Sequence, residues 1–326
     1  MSEKKKLKIA FYWAASCGGC EIAVLDINEK ILDVVQIADI VFWPVAMDVK
    51  YSDVKAMPDK YIDITFFNGS IRNSEQEEIA KLLRQKSKTL VAFGSCAHEG
   101  CIPGLANLHD SKEILEYVYQ KQRGLVNPEG TIPTPETEVK EGTLEIPEFY
   151  DTVKTLAQTV DVDYYLPGCP PPVKLIANAI DAIAKNELPP KGSILAPLKA
   201  VCDECPRTRE NKKITKLYRV YEKAPDPEKC LLEQGILCMG PATRSGCGAQ
   251  CLKVDMPCTG CGGPGPNMPE LGAGMISALA SILGYDEKDL TPEAVEKLMS
   301  QVIDPVGTFY MYSLPASILR RKVMKK

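Results

Sequence analysis

Histidine is nearly absent from this chain of 326 residues: His98 and His109 are too few and too isolated to argue a catalytic base. A charge excess is missing as well. With 39 Lys and Arg against 43 Asp and Glu the net charge is -4, which gives no reason to expect nucleic acid as a partner. Lys4 to Lys6 and Arg320 to Lys326 read as solvated ends. Long hydrophobic runs are lacking: the longest uncharged stretch, Leu271 to Tyr285, has 15 residues, short of the roughly 20 that span a bilayer. Lys8 interrupts the apolar run near the N-terminus, and neither a twin-arginine motif nor a small-x-small cleavage site is evident. Internal repeats and low-complexity segments are also missing. These absences point to a soluble cytoplasmic chain with no membrane partner, long enough for two domains and ordinary in its 45% hydrophobic and 25% charged residues.

Cysteine, by contrast, is abundant, with thirteen residues. In a reducing compartment that number argues for metal ligation over disulfides. Eight of them fall in order between Cys202 and Cys261: Cys202, Cys205, Cys230, Cys238, Cys247, Cys251, Cys258 and Cys261. The segment is rich in Gly and Pro and poor in hydrophobic periodicity, so apolar burial alone cannot fold it. Each C-x2-C lets two thiolates reach one metal centre from a tight turn, and eight sulfurs are what two tetrahedral or cubane sites would use.

The other chemistry-bearing cysteines follow strands. Leu7 to Trp13 reads as a first strand, followed by Cys17-Gly18-Gly19-Cys20-Glu21 and a helix over about Ile22 to Val35. Asp39 to Trp43 and Tyr61 to Phe67 are further strands, and Ser74 with Glu77 forms a capping box ahead of Ile79, Leu82 and Leu83. Lys88 to Phe93 ends in Gly94-Ser95-Cys96, and Asp161 to Leu166 ends in Pro167-Gly168-Cys169-Pro170 before a helix with Val173, Ile176, Ala177, Ile180, Ile183 and Ala184 on one face. This alternation predicts an α/β fold, a flavodoxin-like doubly wound parallel sheet over residues 1–190. Ligands in such sheets bind beyond the carboxyl ends of the strands, so Cys17, Cys20, Cys96 and Cys169 should converge at one pole. The interval 122–148, with four prolines, reads as an irregular surface excursion. Residues 191–326 then form a cysteine-rich, largely irregular domain, with helices expected over Leu271 to Leu283 and from Thr291 and Pro292 onward.

Soft ligands leave zinc or iron-sulfur as the metal. A zinc ribbon needs its two C-x2-C pairs about 15–20 residues apart, and here four cysteines intervene. The Cys-Pro pairs at Cys169 and Cys205 are like the closing Cys-Pro of ferredoxin sites.

Cys17-Gly18-Gly19-Cys20-Glu21, Gly94-Ser95-Cys96-Ala97, Gly168-Cys169-Pro170-Pro171, Gly240-Pro241-Ala242-Thr243 and Pro257-Cys258-Thr259-Gly260-Cys261 together resemble the small subunit of [NiFe] hydrogenases, in order and over most of the chain. Within that family the sequence is most similar to the methyl-viologen-reducing, heterodisulfide-reductase-associated branch of methanogenic archaea. The resemblance implies three [4Fe-4S] clusters. Cys17, Cys20, Cys96 and Cys169 would hold the proximal one, facing the nickel site of a separate large subunit. Cys247, Cys251, Cys258 and Cys261 would hold the medial one, and Cys202, Cys205, Cys230 and Cys238 the distal one. It also implies electron transfer from H2 oxidation on that large subunit to a [2Fe-2S]-carrying delta subunit and a flavin-containing heterodisulfide reductase. The alternative is an electron-wiring subunit whose large partner has lost nickel. No catalytic residue is expected on this chain itself.

Two departures from the family pattern bear on the clusters. Cys202 stands where many of these subunits place a His, and Cys251 supplies a fourth medial thiol that many lack; both favour all-thiolate, lower-potential clusters. Cys101 is left over and reads as a small buried hydrophobe. Glu21 is open to two readings, proton relay or structural hydrogen bond.

Overall fold

The computed structural model describes residues 6–284 and 291–322. Nine strands are formed among them: β1 (Leu7–Trp13), β2 (Ala38–Phe42), β3 (Ile62–Asn68), β4 (Ile71–Asn73), β5 (Ser87–Phe93), β6 (Glu136–Val139), β7 (Gly142–Glu145), β8 (Phe149–Lys154) and β9 (Tyr164–Leu166). Five of them make one sheet in the order β2-β1-β3-β5-β9, and every pairing is parallel. Counted along the sheet strands alone this is 2-1-3-4-5, the flavodoxin-like order, with its switch point between β1 and β3.

Alternation along β1 shows why the sheet is covered twice. Ile9 and Phe11 face a core completed by Ala23, Val24, Ile176, Ala179 and Ile183 from the helices Gly19–Leu25 and Val173–Lys185. Ala10 and Tyr12 face the other core, closed by Ile79, Ala80 and Leu83 of Ser74–Lys86. A period of two in the strands and 3.6 in the helices is what such a three-layer arrangement requires.

Several details differ from the sequence expectation. The helix expected over 22–35 is broken into Gly19–Leu25 and Ile31–Ile37, with Asn28 between them at φ +53, a conformation that ends α-helical continuation and that Asn tolerates. The cap of Ser74–Lys86 is Asn73, not Ser74: the Asn73 side chain accepts the Gln76 N–H at 2.9 Å, while Ser74 Oγ accepts the N–H of Glu148 at 3.0 Å. The 122–148 excursion contains an antiparallel hairpin, β6 with β7, and β8 pairs with β4 at the side of the fold.

A third core belongs to the later part of the chain, where Leu231, Ile236, Met239, Leu252, Leu271, Met275, Phe309 and Leu314 pack together with Leu105 and Leu108 at its border. The helix Leu271–Ile282 runs there, and Pro292–Met299 follows. Pro315 presses on Gly100 and Gly104, where a Cβ would stand 2.2 and 2.3 Å from its ring. Arg320 and Lys322 are exposed, as a solvated end should be, and residues 323–326 lie outside those described, but the backbone over 320–322 is anchored. Asn107 holds it: its Nδ2 donates to Val153 O at 3.1 Å and to Arg320 O at 2.9 Å, its Oδ1 accepts from Val153 N at 2.7 Å, and its carbonyl accepts from Lys322 N at 2.9 Å. Among the described residues no helix is long and apolar enough to cross a membrane.

Candidate iron-sulfur centres

The four strand-following cysteines meet at the carboxyl end of the sheet. Cys17 lies in the loop after β1 and is exposed; Cys20 is buried in the first turn of Gly19–Leu25. Cys96 is buried in the first turn of Gly94–Glu99, directly after β5, and Cys169 follows β9. Burial pushes the Cys20 thiol well up, and the neighbouring Cys169 and Cys17 add to it. Close approach of the loops makes this convergence work. A Cβ on Gly94, at φ +82, would stand 2.3 Å from Cys20 Sγ, and a Cβ on Gly69, at φ +100, would stand 2.7 Å from the Ala14 backbone. Only glycine fits either position.

Cys101 is fully buried, as expected of a small apolar side chain, and its thiol also lies near those of Cys169 and Cys96. The Cys169 thiol is held well up by its bond to Cys101 and by burial.

Three polar residues not singled out in the sequence fasten the loops. Ser95 Oγ donates to Cys261 O at 2.6 Å and accepts from Gly168 N at 3.1 Å, so one hydroxyl joins the β5 and β9 ends to the later cysteine segment. Ser70 Oγ bonds to the carbonyls of Cys96 and Gly100 at 3.0 and 2.9 Å. The Glu204 carboxylate accepts the N–H groups of Gly246 and Gly248 at 3.0 and 2.8 Å, flanking Cys247. Only Ser95 carried a sequence signal, as the neighbour of Cys96. Glu21 is buried and accepts hydrogen bonds from Trp43 Nε1 and, at 3.5 Å, from Asn68 Nδ2; burial raises its carboxyl while these bonds oppose the rise.

The remaining eight cysteines line two cavities. Cys247, Cys251, Cys258 and Cys261 surround one of about 310 Å³, and Cys169 reaches its wall. Burial lifts Cys261 to about 11, with Cys247 next in effect. Cys202, Cys205, Cys230 and Cys238 surround the other, of about 360 Å³. Burial lifts Cys202 to about 12, with Cys238 next. Gly240 sits between the Cys202 and Cys238 sulfurs, where a Cβ would be 3.3 and 3.5 Å from them. The two cavities adjoin, because Cys258 N donates to Cys238 Sγ at 3.4 Å.

The donor set and its spacing bear on which metal group fits. The donors that these eight positions and Cys169 offer to the two cavities are all sulfur. Among the described residues no three Cys, His, Asp or Glu side chains converge as a single ion would need, whereas zinc requires sulfurs about 2.3 Å from one point. The cavities are about ten times the roughly 30 Å³ share of a liquid water. Thiols that burial and mutual repulsion keep protonated release their protons when a metal takes the sulfur. Four-sulfur surrounds of this size fit a polynuclear iron-sulfur group.

Comparison with known proteins gives the family. Residues 17–183 match the family described as "NADH ubiquinone oxidoreductase, 20 Kd subunit", and the chain belongs to it. Within it the chain falls among the G subunits of F420-non-reducing hydrogenases. It is 44% identical to the iron-sulfur subunit of that hydrogenase from Archaeoglobus profundus, covering 98% of this chain and 99% of that protein. It is 38% identical to the corresponding subunit of the F420-non-reducing hydrogenase from Methanothermobacter marburgensis, covering 99% of each. Among solved structures, the NAD+-reducing [NiFe]-hydrogenase in its H2-reduced state has a chain that is 28% identical at a TM-score of 0.49, over 57% of this chain and 94% of that one.

Proposed function

We propose that this chain is the electron-transfer small subunit of a cytoplasmic [NiFe] hydrogenase whose large subunit oxidises H2. Residues 1–190 hold the proximal site through Cys17, Cys20, Cys96 and Cys169. Residues 191–326 hold the medial site through Cys247, Cys251, Cys258 and Cys261, and the distal site through Cys202, Cys205, Cys230 and Cys238. When bound, three [4Fe-4S] clusters supply one-electron carriers at these positions.

The observation that carries this reading is the contiguity of the thiols. Cys169 belongs to the strand-end group and also reaches the wall of the middle cavity; Cys258 of the middle group hydrogen-bonds to Cys238 of the last. The strand-end group lies where an open α/β sheet receives a partner, and the last group lies at the other end of the row. Electrons therefore enter at the Cys17 loop and leave past Cys202. The chain's residues do no bond chemistry: they fix sulfurs, exclude water around Cys20, Cys96, Cys238 and Cys258, and hold the groups in sequence. The acceptor on this reading is a [2Fe-2S]-carrying delta subunit feeding a heterodisulfide reductase.

Iron analysis of the purified complex tests it: about twelve irons per copy of this chain are expected. Zinc in their place, or about eight irons, would refute the assignment. Nickel on the co-purified large chain separates a hydrogenase from an electron-wiring relative that has lost it.

A further inference from the structure

The mouth of the distal cavity is positively charged although the whole chain is negative. Over residues 207–223 there are seven Lys and Arg against two Glu. Arg209, Lys212 and Lys213 line the cavity beside Cys202, Cys205 and Cys230 and are exposed. Arg209 is close enough to Cys202 to oppose the rise of its thiol pKa. A second groove, of about 670 Å³, is lined by Lys216, Arg219, Lys297 and Tyr221, the first two on the stretch of chain that follows Lys213.

The nearby acids offset only part of this field, because Glu210, Glu222 and Glu233 keep their charge while Arg209, Lys213, Lys216 and Arg219 remain in excess of them. Glu210 is paired with Lys212 and Lys229. The Glu233 carboxylate accepts the N–H groups of Glu210 and Asn211 at 2.6 and 3.0 Å, and Glu222 accepts that of Arg219 at 2.7 Å. Among the described residues Arg209, Lys213, Lys216 and Arg219 have no carboxylate partner within ion-pair distance. Tyr221, 81% exposed, and Val220, 46% exposed, add an apolar anchor to the same stretch, and a Tyr among Arg residues is a composition typical of protein interfaces.

We propose that this surface docks an acidic electron-carrier protein, whose carboxylates meet Arg209, Lys213, Lys216 and Arg219 and whose redox centre is thereby brought over the distal thiols. The inference rests on the electron-transfer reading above and adds the chemistry of the partner to it. Attraction between a basic rim and an acidic face speeds encounter and sets orientation, and salt weakens it.

The test uses the complex of this chain with its large subunit, free of the delta subunit, and, as probe, an oxidised ferredoxin of strongly acidic composition, with equilibrium binding as the readout. Binding should weaken about tenfold or more between low and physiological salt. Arg209→Glu with Lys216→Glu should weaken it by about tenfold again at low salt. Lys81→Glu with Lys112→Glu, on helices of the first half, is the charge-matched control and should leave binding unchanged. Iron content is measured on every variant. Full iron with ferredoxin binding that ignores both salt and the Arg209 and Lys216 reversals overturns the docking proposal and leaves the electron-transfer reading standing. A wild-type complex without iron would instead overturn that reading.

Discussion

Replacing Gly94 with Ala probes the point at which the sheet positions sulfur. Gly94 leaves β5 at φ +82, a conformation that costs an L-residue about 1–2 kcal/mol. The new Cβ would lie 2.3 Å from Cys20 Sγ, so the sulfur must retreat by about 1.1 Å to reach the 3.4 Å at which ordinary contact begins. Functional groups must be held to within about 0.5 Å of their working positions, and the shift is twice that. Gly192→Ala is the control, because Gly192 is at φ +88 with nothing within 4 Å of an added Cβ. Each variant should lower the melting temperature of the complex by a few degrees, since about 1 kcal/mol moves a chain of this size by roughly 2–4 °C. Only Gly94→Ala should also lose about four irons per chain. A Gly94→Ala complex with its full iron and an unchanged proximal resonance signal would refute the convergence of Cys20 with the β5 end.

Other consequences follow from individual side chains. Cys251→Pro places proline in the first turn of the short helix Gln250–Lys253, where proline is tolerated; it should remove about one iron and raise the medial potential, and an unchanged medial signal would show that Cys251 is no ligand. Glu99 is buried beside His98 and Arg244, and burial lifts its carboxyl to about 8 against the opposing Arg244 charge. A raised folded-state pKa means that its contribution is fully present below the ordinary glutamate value and is lost as pH rises through about 8, at a cost of up to about 5 kcal/mol. Glu99→Gln should therefore flatten the fall in melting temperature between about pH 5 and pH 9, whereas parallel wild-type and variant curves would refute this. Glu204→Ala unpins Gly246 and Gly248 and should cost about 1.5–3 kcal/mol, with medial iron lost first on urea titration.

The parts of this fold legible in the sequence are those governed by local rules. The apolar run Leu7–Trp13, the succession of strand and helix signals and the 3.6-residue stripe in Val173–Lys185 announced a doubly wound sheet, and that topology alone carried Cys17, Cys20, Cys96 and Cys169 to one edge. What escaped depends on contacts across many residues. Ser95 meets Cys261 across 166 positions, and no local pattern marks such a pair. Cys101 follows Cys96 closely in the chain and read as buried filler beside that group, but nothing in the sequence shows that Cys169 comes near it too. The basic rim was hidden by the net charge: a total of -4 averages away a cluster that matters only where it faces the distal cavity. The hairpin in 122–148 was obscured by its prolines, which lie outside the β6 and β7 spans.

The clasp at Asn107 has a consequence for how the molecule is made. A ribosome releases the sheet and its helices long before it reaches Arg320 and Lys322, yet two of the four hydrogen bonds at Asn107 wait for those residues. Synthesis is vectorial, and the seam beside Val153 can be half-sewn early but finished only once residues 320–322 have emerged. A product that terminates before Arg320 therefore emerges with an unfastened seam, and the arrival of residues 320–322 is registered at a buried side chain of the part that was made first.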